Sequence, residues 1–439
     1  MKKTVKVFKF GGASLKDAAA IKHVGQILHG FAQEWILIVV SAIGKTTNSL
    51  EKVVEAHARQ TGEAQSLLDD IKAAHYQVMD ALFQPNHDIY ALINDTFVEV
   101  EWVLDEEPHP NYDYMYDQIV SLGEVLSSKI VQAHLQSIGL PTQWLDARDI
   151  VRTDDLYREG WVQWESTEEN AQRIAKPMLE KGGFVLTQGF IGSTDSNETT
   201  TLGREGSDYT AAIFSFCLDA ESMTIWKDVP GVLTADPRLF ENVVKIDRLS
   251  YKEAIEMTYY GARVIHPKTI KPLQNKSIPL YVKSFIEPTG IGTCISDEAE
   301  DLYPPIVAVE RNQALLQIST RDFSFVAEHH LSYLFKVIAD MRLQVNMMQN
   351  SAISFNVCVN DIDDRVDRFA AQIQEEFKVL IDRSLELYTI RHYHEDVLEN
   401  LRKGKLVLME ERTAENVQMV VKDLPLMARR LSPLPGSKD

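Results

Sequence analysis

A layered α/β domain followed by a smaller α+β region is the fold class this sequence predicts. Three observations carry that expectation. The chain opens with a strand, a double-glycine turn, a helix and a second strand. Helical and short apolar segments then alternate to about residue 283. The pattern changes in character after about residue 297.

Taken in order, Val5–Phe10 is a short buried strand, Gly11 and Gly12 break it, and 15–33 has the spacing of an amphipathic helix. Trp35–Val40 is a second apolar run with Ser41 at its carboxyl end. Helical periodicity fills 48–104, with breaks near Gly62 and Pro85, and 114–138 reads as one further helix. Segments 141–145 and 184–187 are central strands. A helix follows Ser207 over 209–216, and 223–226 is another strand. Helical stretches at 251–258 and 267–274 precede a last strand of this domain at 278–283. Acidic residues at 298–301 and Pro304-Pro305 mark a boundary. Beyond it come a strand (314–319), a helix (331–341), two strands (344–349 and 353–360) and a helix (366–376). A shorter echo follows, with strand 385–391, helix 394–402 and strands 405–410 and 417–421, so two small α+β units in tandem fit the pattern. The expected domains are 1–300, 305–380 and 381–439, the last ending in a peripheral tail from Pro425.

The chain has 439 residues, 45% of them hydrophobic and 25% charged, which suits a soluble globular protein of two or three domains. A net charge of −19 argues against a nucleic-acid or anionic-membrane surface. Any anion site must then rest on a few placed Lys, Arg and backbone N–H groups. Cys217, Cys294 and Cys358 fit neither a zinc site nor a disulfide framework, which points to a reducing compartment. Lys6 and Lys9 interrupt the apolar run after Lys2-Lys3, and no small-residue cleavage site follows. No stretch approaches the ~18 apolar residues of a spanning helix. The expectation is a cytoplasmic protein, with no nucleic-acid or membrane partner, and with histidines that form no constellation of metal-ligand type.

Lys9-Phe10-Gly11-Gly12-Ala13-Ser14 lies where a strand ends and a helix is expected. Bare glycine backbone lets N–H groups approach an anion, a helix N-terminus favours phosphate, and Lys9 can place an ammonium beside a transferring phosphoryl group. A tight turn with a surface lysine is the alternative. Thr201-Leu202-Gly203-Arg204-Glu205-Gly206-Ser207-Asp208 is a second glycine-broken entry into a helix. Arg204 is suited to clamp a carboxylate by two hydrogen bonds, and Asp208 to orient Lys9 or hold a metal ion. Ser207 or Asp208 acting only as a helix cap is equally open. Trp226-Lys227-Asp228-Val229-Pro230-Gly231 leaves a strand at its carboxyl end, where open α/β sheets bind ligands, and Asp236-Pro237-Arg238 follows; turn chemistry alone is the alternative reading. Ser121-Leu122-Gly123-Glu124 puts a carboxylate on an otherwise apolar helix, either to meet a substrate ammonium or as an exposed or ion-paired position.

Taken together these segments resemble the aspartate kinase family. Their order is Lys9–Ser14 (9–14), Ser41 with Thr47, Gly123-Glu124, Gln188-Gly189-Phe190-Ile191-Gly192, 201–208, 226–231, 236–238 and 261–267. The resemblance implies the amino-acid kinase fold, a three-layer α/β/α sandwich, followed by tandem ACT-like regulatory units. It implies transfer of the ATP γ-phosphoryl to the β-carboxylate of L-aspartate with Mg²⁺ present, giving 4-phospho-L-aspartate for lysine, methionine and threonine synthesis, and a homodimer formed through the ACT units. By the same resemblance Lys9 stabilises the transferring phosphoryl, Asp208 organises Lys9, and Gly11, Gly12 and Ser14 lie at the phosphates. Ser41, Thr47, Glu124, Arg204 and Ser207 hold aspartate, with Glu124 at its ammonium and Arg204 at its α-carboxylate. Lys227, Asp228, Leu233, Arg238 and Arg263 fall at nucleotide positions.

The chain departs from the family pattern at Glu205, where glycine is usual, at Arg263, where lysine is usual, and at Leu233, where tyrosine is common. Glu205 adds negative charge beside an anion site and calls for a strained backbone, and activity requires that its side chain point away or pair with a cation. Val345-Asn346-Met347-Met348-Gln349-Asn350-Ser351-Ala352 carries no carboxylate where lysine-inhibited relatives have acidic residues.

Overall fold

The computed structural model describes residues 4–261, 265–298, 302–322 and 324–424. Arg263 and the expected tail from Pro425 lie outside them. The chain forms two compact units: residues 1–232, 245–255 and 264–300 make the first, and 233–244, 256–263 and 301–439 make the second.

The first unit is built on β1 (Val5–Phe10), β2 (Trp35–Val40), β3 (Thr142–Leu145), β4 (Phe184–Gln188), β7 (Ser222–Lys227), β8 (Arg248–Ser250), β9 (Leu280–Ser284) and β10 (Thr293–Ser296), with a separate hairpin of β5 (Ile191–Ser193) and β6 (Thr199–Thr201). The sheet order is β3-β4-β2-β1-β7-β9-β10-β8. Every pairing is parallel except that of β9 with β10. β1 sits at the centre, with Lys9 level with Val39 on one side and Ile225 on the other.

Period-two alternation decides what each face of β1 sees. Phe8 and Phe10 join one core with Ile36, Ile38, Val40, Phe184 and Leu186 under the helices Ala18–His29, Thr46–Ala58, Ala64–Asp80, Ile89–Asp105, Tyr112–Val120 and Leu122–Ser137. Phe10 stacks on Trp226 with ring centroids 6.0 Å apart and planes 2° from parallel. Val5, Val7 and Lys9 take the other face, where the helix Gly206–Cys217 packs across β1, β2 and β7. Lys9 is thereby aimed at that helix.

Several expected bounds differ. The segment expected as one helix over 114–138 is two, parted at Ser121, whose Oγ donates to the Gln118 carbonyl at 3.2 Å. The strand expected at 278–283 is β9, and it is not the last, because β10 returns beside it.

The second unit is one antiparallel sheet in the order β12-β13-β11-β14-β16-β15, with β11 (Ile306–Thr320), β12 (Val345–Asn350), β13 (Ser354–Asn360), β14 (Phe377–Arg391), β15 (Lys405–Arg412) and β16 (Asn416–Asp423). The helices Glu328–Asp340 and Arg365–Ile373 pack on its first half and Glu395–Arg402 on its second. The strands expected at 314–319 and 385–391 are each half of a 15-residue strand. β11 and β14 pair along nearly their whole length and join the two tandem halves into one sheet. Each breaks at a left-handed residue, Asn312 (φ +57°) and Ser384 (φ +59°), where the register shifts. Asn346 Nδ2 donates to Gln313 Oε1 and to Asn360 Oδ1, both at 2.7 Å, inside this sheet.

Candidate active site

β1 ends at Lys9 and Phe10, and Gly11 leads into a 3-10 turn, Gly12–Leu15. The helix expected to start there begins only at Ala18, because Asp17 caps it: its Oδ1 accepts from Ala20 N–H at 2.8 Å. That carboxylate occupies the helix N-terminus, so the favourable potential expected for phosphate comes from the turn and Lys9. A Cβ on Gly11 would lie 2.9 Å from Lys9 Nζ, so glycine here makes room for the ammonium itself. Ser14 is 1% exposed and its Oγ donates to the Trp226 carbonyl at 3.3 Å, which fastens the turn to β7.

The loops at the carboxyl ends of the parallel strands are tied into a ring. Ser41 N–H donates to the Phe10 carbonyl at 3.2 Å, and Gly189 N–H to the Val40 carbonyl at 2.8 Å. Gly189 lies against the start of the helix Gly206–Cys217, where a Cβ would meet Ser207 Cβ at 2.5 Å and Ser207 Cα at 2.7 Å. Asp208, one residue on, closes the ring to Lys9 with Oδ1 2.6 Å from Nζ. The two glycine-broken corners therefore meet at one ion pair.

That pair is buried, at 11% side-chain exposure for Lys9 and 6% for Asp208. Burial works to raise the Asp208 carboxyl, but the Lys9 and Lys227 ammonium groups outweigh it and hold it below the usual carboxylate range. Asp208 is thus a fixed anion. It lies against the Lys9 ammonium where the two corners meet.

Glu124 is held in the first turn of the helix Leu122–Ser137 and is 3% exposed, which removes the exposed-position reading. Gly123 permits the approach: a Cβ there would meet Ala42 Cβ at 3.1 Å and Thr46 Cγ2 at 3.3 Å. Glu124 Oε1 accepts from Ala42 N–H at 3.4 Å, and Oε2 has no hydrogen-bond partner among the described residues. Burial pushes its pKa up to about 8, against the pull of the Ala42 amide and Lys9. A buried carboxyl with an empty oxygen beside the ring is suited to receive a cation.

Ser41 is half-buried and its carbonyl accepts from Ser127 Oγ at 2.6 Å. Thr47 is half-buried in the first turn of Thr46–Ala58, on the same loop. Ser207 is buried at the second corner, and Arg204 beside it is exposed. Lys227 is half-buried and Asp228 exposed where β7 ends. Leu233 and Arg238 belong to the second unit, where Arg238 is spent on Asp236 at 2.6 Å.

Two further residues shape the site: Asp117, which the sequence reading did not single out, and Gln188, which it named only within the segment 188–192. Asp117 is fully buried and accepts from Thr201 N–H (2.8 Å), Thr201 Oγ1 (2.7 Å) and Arg158 N–H (2.9 Å), anchoring the strand that leads to Arg204. Burial pushes its pKa up to about 6, against those bonds. Gln188 accepts from Ala147 N–H at 2.7 Å and donates to Ser128 Oγ at 2.8 Å, fixing the end of β4. A carboxylate among Met115, Tyr116, Ile119 and Val120 was the signal for Asp117.

The amino acid kinase family profile matches residues 4–284. Lysine-sensitive aspartokinase 3 of Escherichia coli is 34% identical over 355 residues, which span 79% of this chain and 76% of that protein. The chain belongs to the amino acid kinase family, in its aspartokinase branch. Among solved structures, E. coli aspartokinase III in complex with lysine and aspartate superposes with a TM-score of 0.82 at 28% identity, over 95% of each chain. The same E. coli enzyme in complex with aspartate and ADP gives 0.79 at 28% identity, over 95% of this chain and 96% of that one.

Against the aspartokinase pattern, Glu205 is the departure that bears on this site, and it is resolved in the structure. Its backbone is left-handed (φ +54°, ψ +27°), the conformation a glycine would supply. Its side chain turns to the N-terminal end of the helix Pro267–Asn275, where Oε2 accepts from His266 N–H at 3.0 Å. Its negative charge meets a backbone amide.

Proposed function

We propose that this aspartokinase transfers the γ-phosphoryl group of ATP to the β-carboxylate of L-aspartate, releasing ADP and 4-phospho-L-aspartate. The observation that carries the reading is the 2.6 Å pair of Lys9 and Asp208, which joins the two glycine corners at one point. A β-carboxylate oxygen forms a bond to the γ-phosphorus as the bond to the β–γ bridging oxygen breaks, and the electron pair leaves with ADP. The acceptor is already ionised at neutral pH, so no proton has to be removed. The protein's task is alignment and relief of anion–anion repulsion.

Lys9 serves the transferring phosphoryl, with the turn at Gly11 and Gly12 against the phosphates and Lys227 and Asp228 toward the nucleotide. Glu124 takes the aspartate ammonium and Arg204 the α-carboxylate, with Ser41, Thr47 and Ser207 lining the acceptor. Among the described residues no group of three or more His, Cys, Asp or Glu is placed to hold a metal ion, and Asp208 is engaged by Lys9. This donor set fits an ion carried by the nucleotide phosphates, where Mg²⁺ would spread the negative charge.

Among the described residues no helix is long and apolar enough to cross a membrane. Residence in the cytoplasm, a catalytic domain over 1–300, ACT-like units over 305–380 and 381–439, and a homodimer through those units complete the proposal. The family resemblance supports the domain and dimer readings, and the three scattered cysteines support the compartment. A panel of aspartate, glutamate, N-acetylglutamate and UMP, read as ADP release with ATP and Mg²⁺, tests it. Aspartate should be the preferred acceptor; preference for any other would overturn the assignment.

A further inference from the structure

Arg204 and Glu205 stand side by side at the entry to the helix Gly206–Cys217, yet they are held differently. Arg204 is exposed and makes no ion pair or hydrogen bond with a described residue, so the backbone corner is what sets where its side chain starts. Glu205 sits in a left-handed conformation that side chains resist. Strained backbone of this kind persists where surrounding contacts over-determine it.

The contact here is the hydrogen bond from His266 N–H to Glu205 Oε2, 3.0 Å long and spanning 61 residues of sequence. Its other end is firm. His266 caps the helix Pro267–Asn275 by accepting from Lys268 N–H at 3.1 Å, Pro267 opens that helix, and the helix packs on Gly206–Cys217. Upstream, Thr201 is fastened to buried Asp117 by two hydrogen bonds. Only Leu202, Gly203 and Arg204 lie between these anchors.

We propose that Glu205 is a positioning residue: its tether to the His266 amide fixes the left-handed corner that presents Arg204 to the substrate α-carboxylate. A glycine would adopt the same backbone without a tether, so the side chain replaces freedom with a fixed aim. The proposal rests on Arg204 being the carboxylate clamp of the function above.

The test compares Glu205→Gly, Glu205→Gln, Arg204→Ala and the double variant Arg204→Ala/Glu205→Gly in steady-state kinetics of the whole chain. Arg204→Ala should raise the aspartate KM by about tenfold or more, the worth of a charged hydrogen-bonding partner. Glu205→Gly should raise it about three- to tenfold, the worth of one hydrogen bond, with kcat and the ATP KM nearly unchanged. Glu205→Gln keeps an acceptor oxygen and should restore the aspartate KM. In the Arg204→Ala background, Glu205→Gly should add nothing.

An unchanged aspartate KM in Glu205→Gly, with a raised one in Arg204→Ala, would overturn the positioning role and leave the clamp intact. An unchanged KM in Arg204→Ala would remove the clamp, and the tether's purpose with it. Equal falls in kcat and thermal stability in Glu205→Gly that Glu205→Gln does not repair would reduce Glu205 to a structural part and overturn the proposal.

Discussion

Replacing Lys9 by methionine separates what the central ion pair does for the fold from what it does for the reaction. The variant leaves Asp208 in place, with 6% of its side chain exposed, and removes the ammonium 2.6 Å from its Oδ1. Removing one partner of a buried pair costs about 3–5 kcal/mol, because the remaining charge stays desolvated. Lys227 still acts on Asp208, so the lower end of that range, ~3 kcal/mol, is expected. Adding Asp208→Asn to Lys9→Met removes the stranded charge, and most of the lost stability should return. Activity should not return. Losing one preorganised cation from a charge-stabilised transition state costs about 10²–10³-fold in kcat, and the double variant still lacks it. Urea unfolding and coupled ADP release, measured on wild type and both variants, give the two readouts. A Lys9→Met protein within tenfold of wild-type kcat, or a double variant no more stable than the single one, would refute the reasoning.

Glu124 gives a pH signature. Its folded pKa of about 8 lies above the ordinary 4.5, so between those values the folded protein holds a proton that the unfolded chain has lost. Its contribution to stability is complete below pH 4.5 and is lost as pH rises through 8. Pairing with the aspartate ammonium favours the ionised form, so at pH 7 binding should release a proton. Calorimetry in buffers of different ionisation enthalpy measures it; no release, or the same release in Glu124→Gln, would contradict the assignment. Gly189→Ala places a Cβ 2.5 Å from Ser207 Cβ and 2.7 Å from its backbone Cα, so the helix start must move. It should cost about 1–3 kcal/mol and lower activity together, and a wild-type unfolding midpoint would contradict it. Lysine should inhibit only above about 1 mM, because the stretch 345–352 offers its ammonium no carboxylate. Asp361 and Asp367 are taken by Arg383. Inhibition at lower concentrations would show that another group receives it.

What could be read from the sequence was local. The strand Val5–Phe10, its glycine stop and Trp35–Val40 are recorded in adjacent residues, and so are the two corners. Alternation along β1 even implies that Lys9 and Phe10 face opposite layers. What escaped depends on distant partners. Glu310, Arg311 and Asn312 interrupt the apolar pattern of β11, which continues through them because β14 pairs alongside. β8 has three residues and β10 four, too few to show a period. The fate of Glu205 turned on the His266 amide, a backbone group that carries no signature in the residue sequence. Asp117 looked like one acidic residue in a tyrosine-rich helix, and only the approach of Thr201 shows why it is buried.

The structure of this chain crystallised with L-aspartate and ADP tests the central claim most directly. The account predicts aspartate inside the ring of loops, its α-carboxylate on Arg204, its ammonium on the unpartnered oxygen of Glu124 and its β-carboxylate facing Lys9. Aspartate bound away from the Lys9–Asp208 pair, or reversed so that its α-carboxylate faces Lys9, would contradict it.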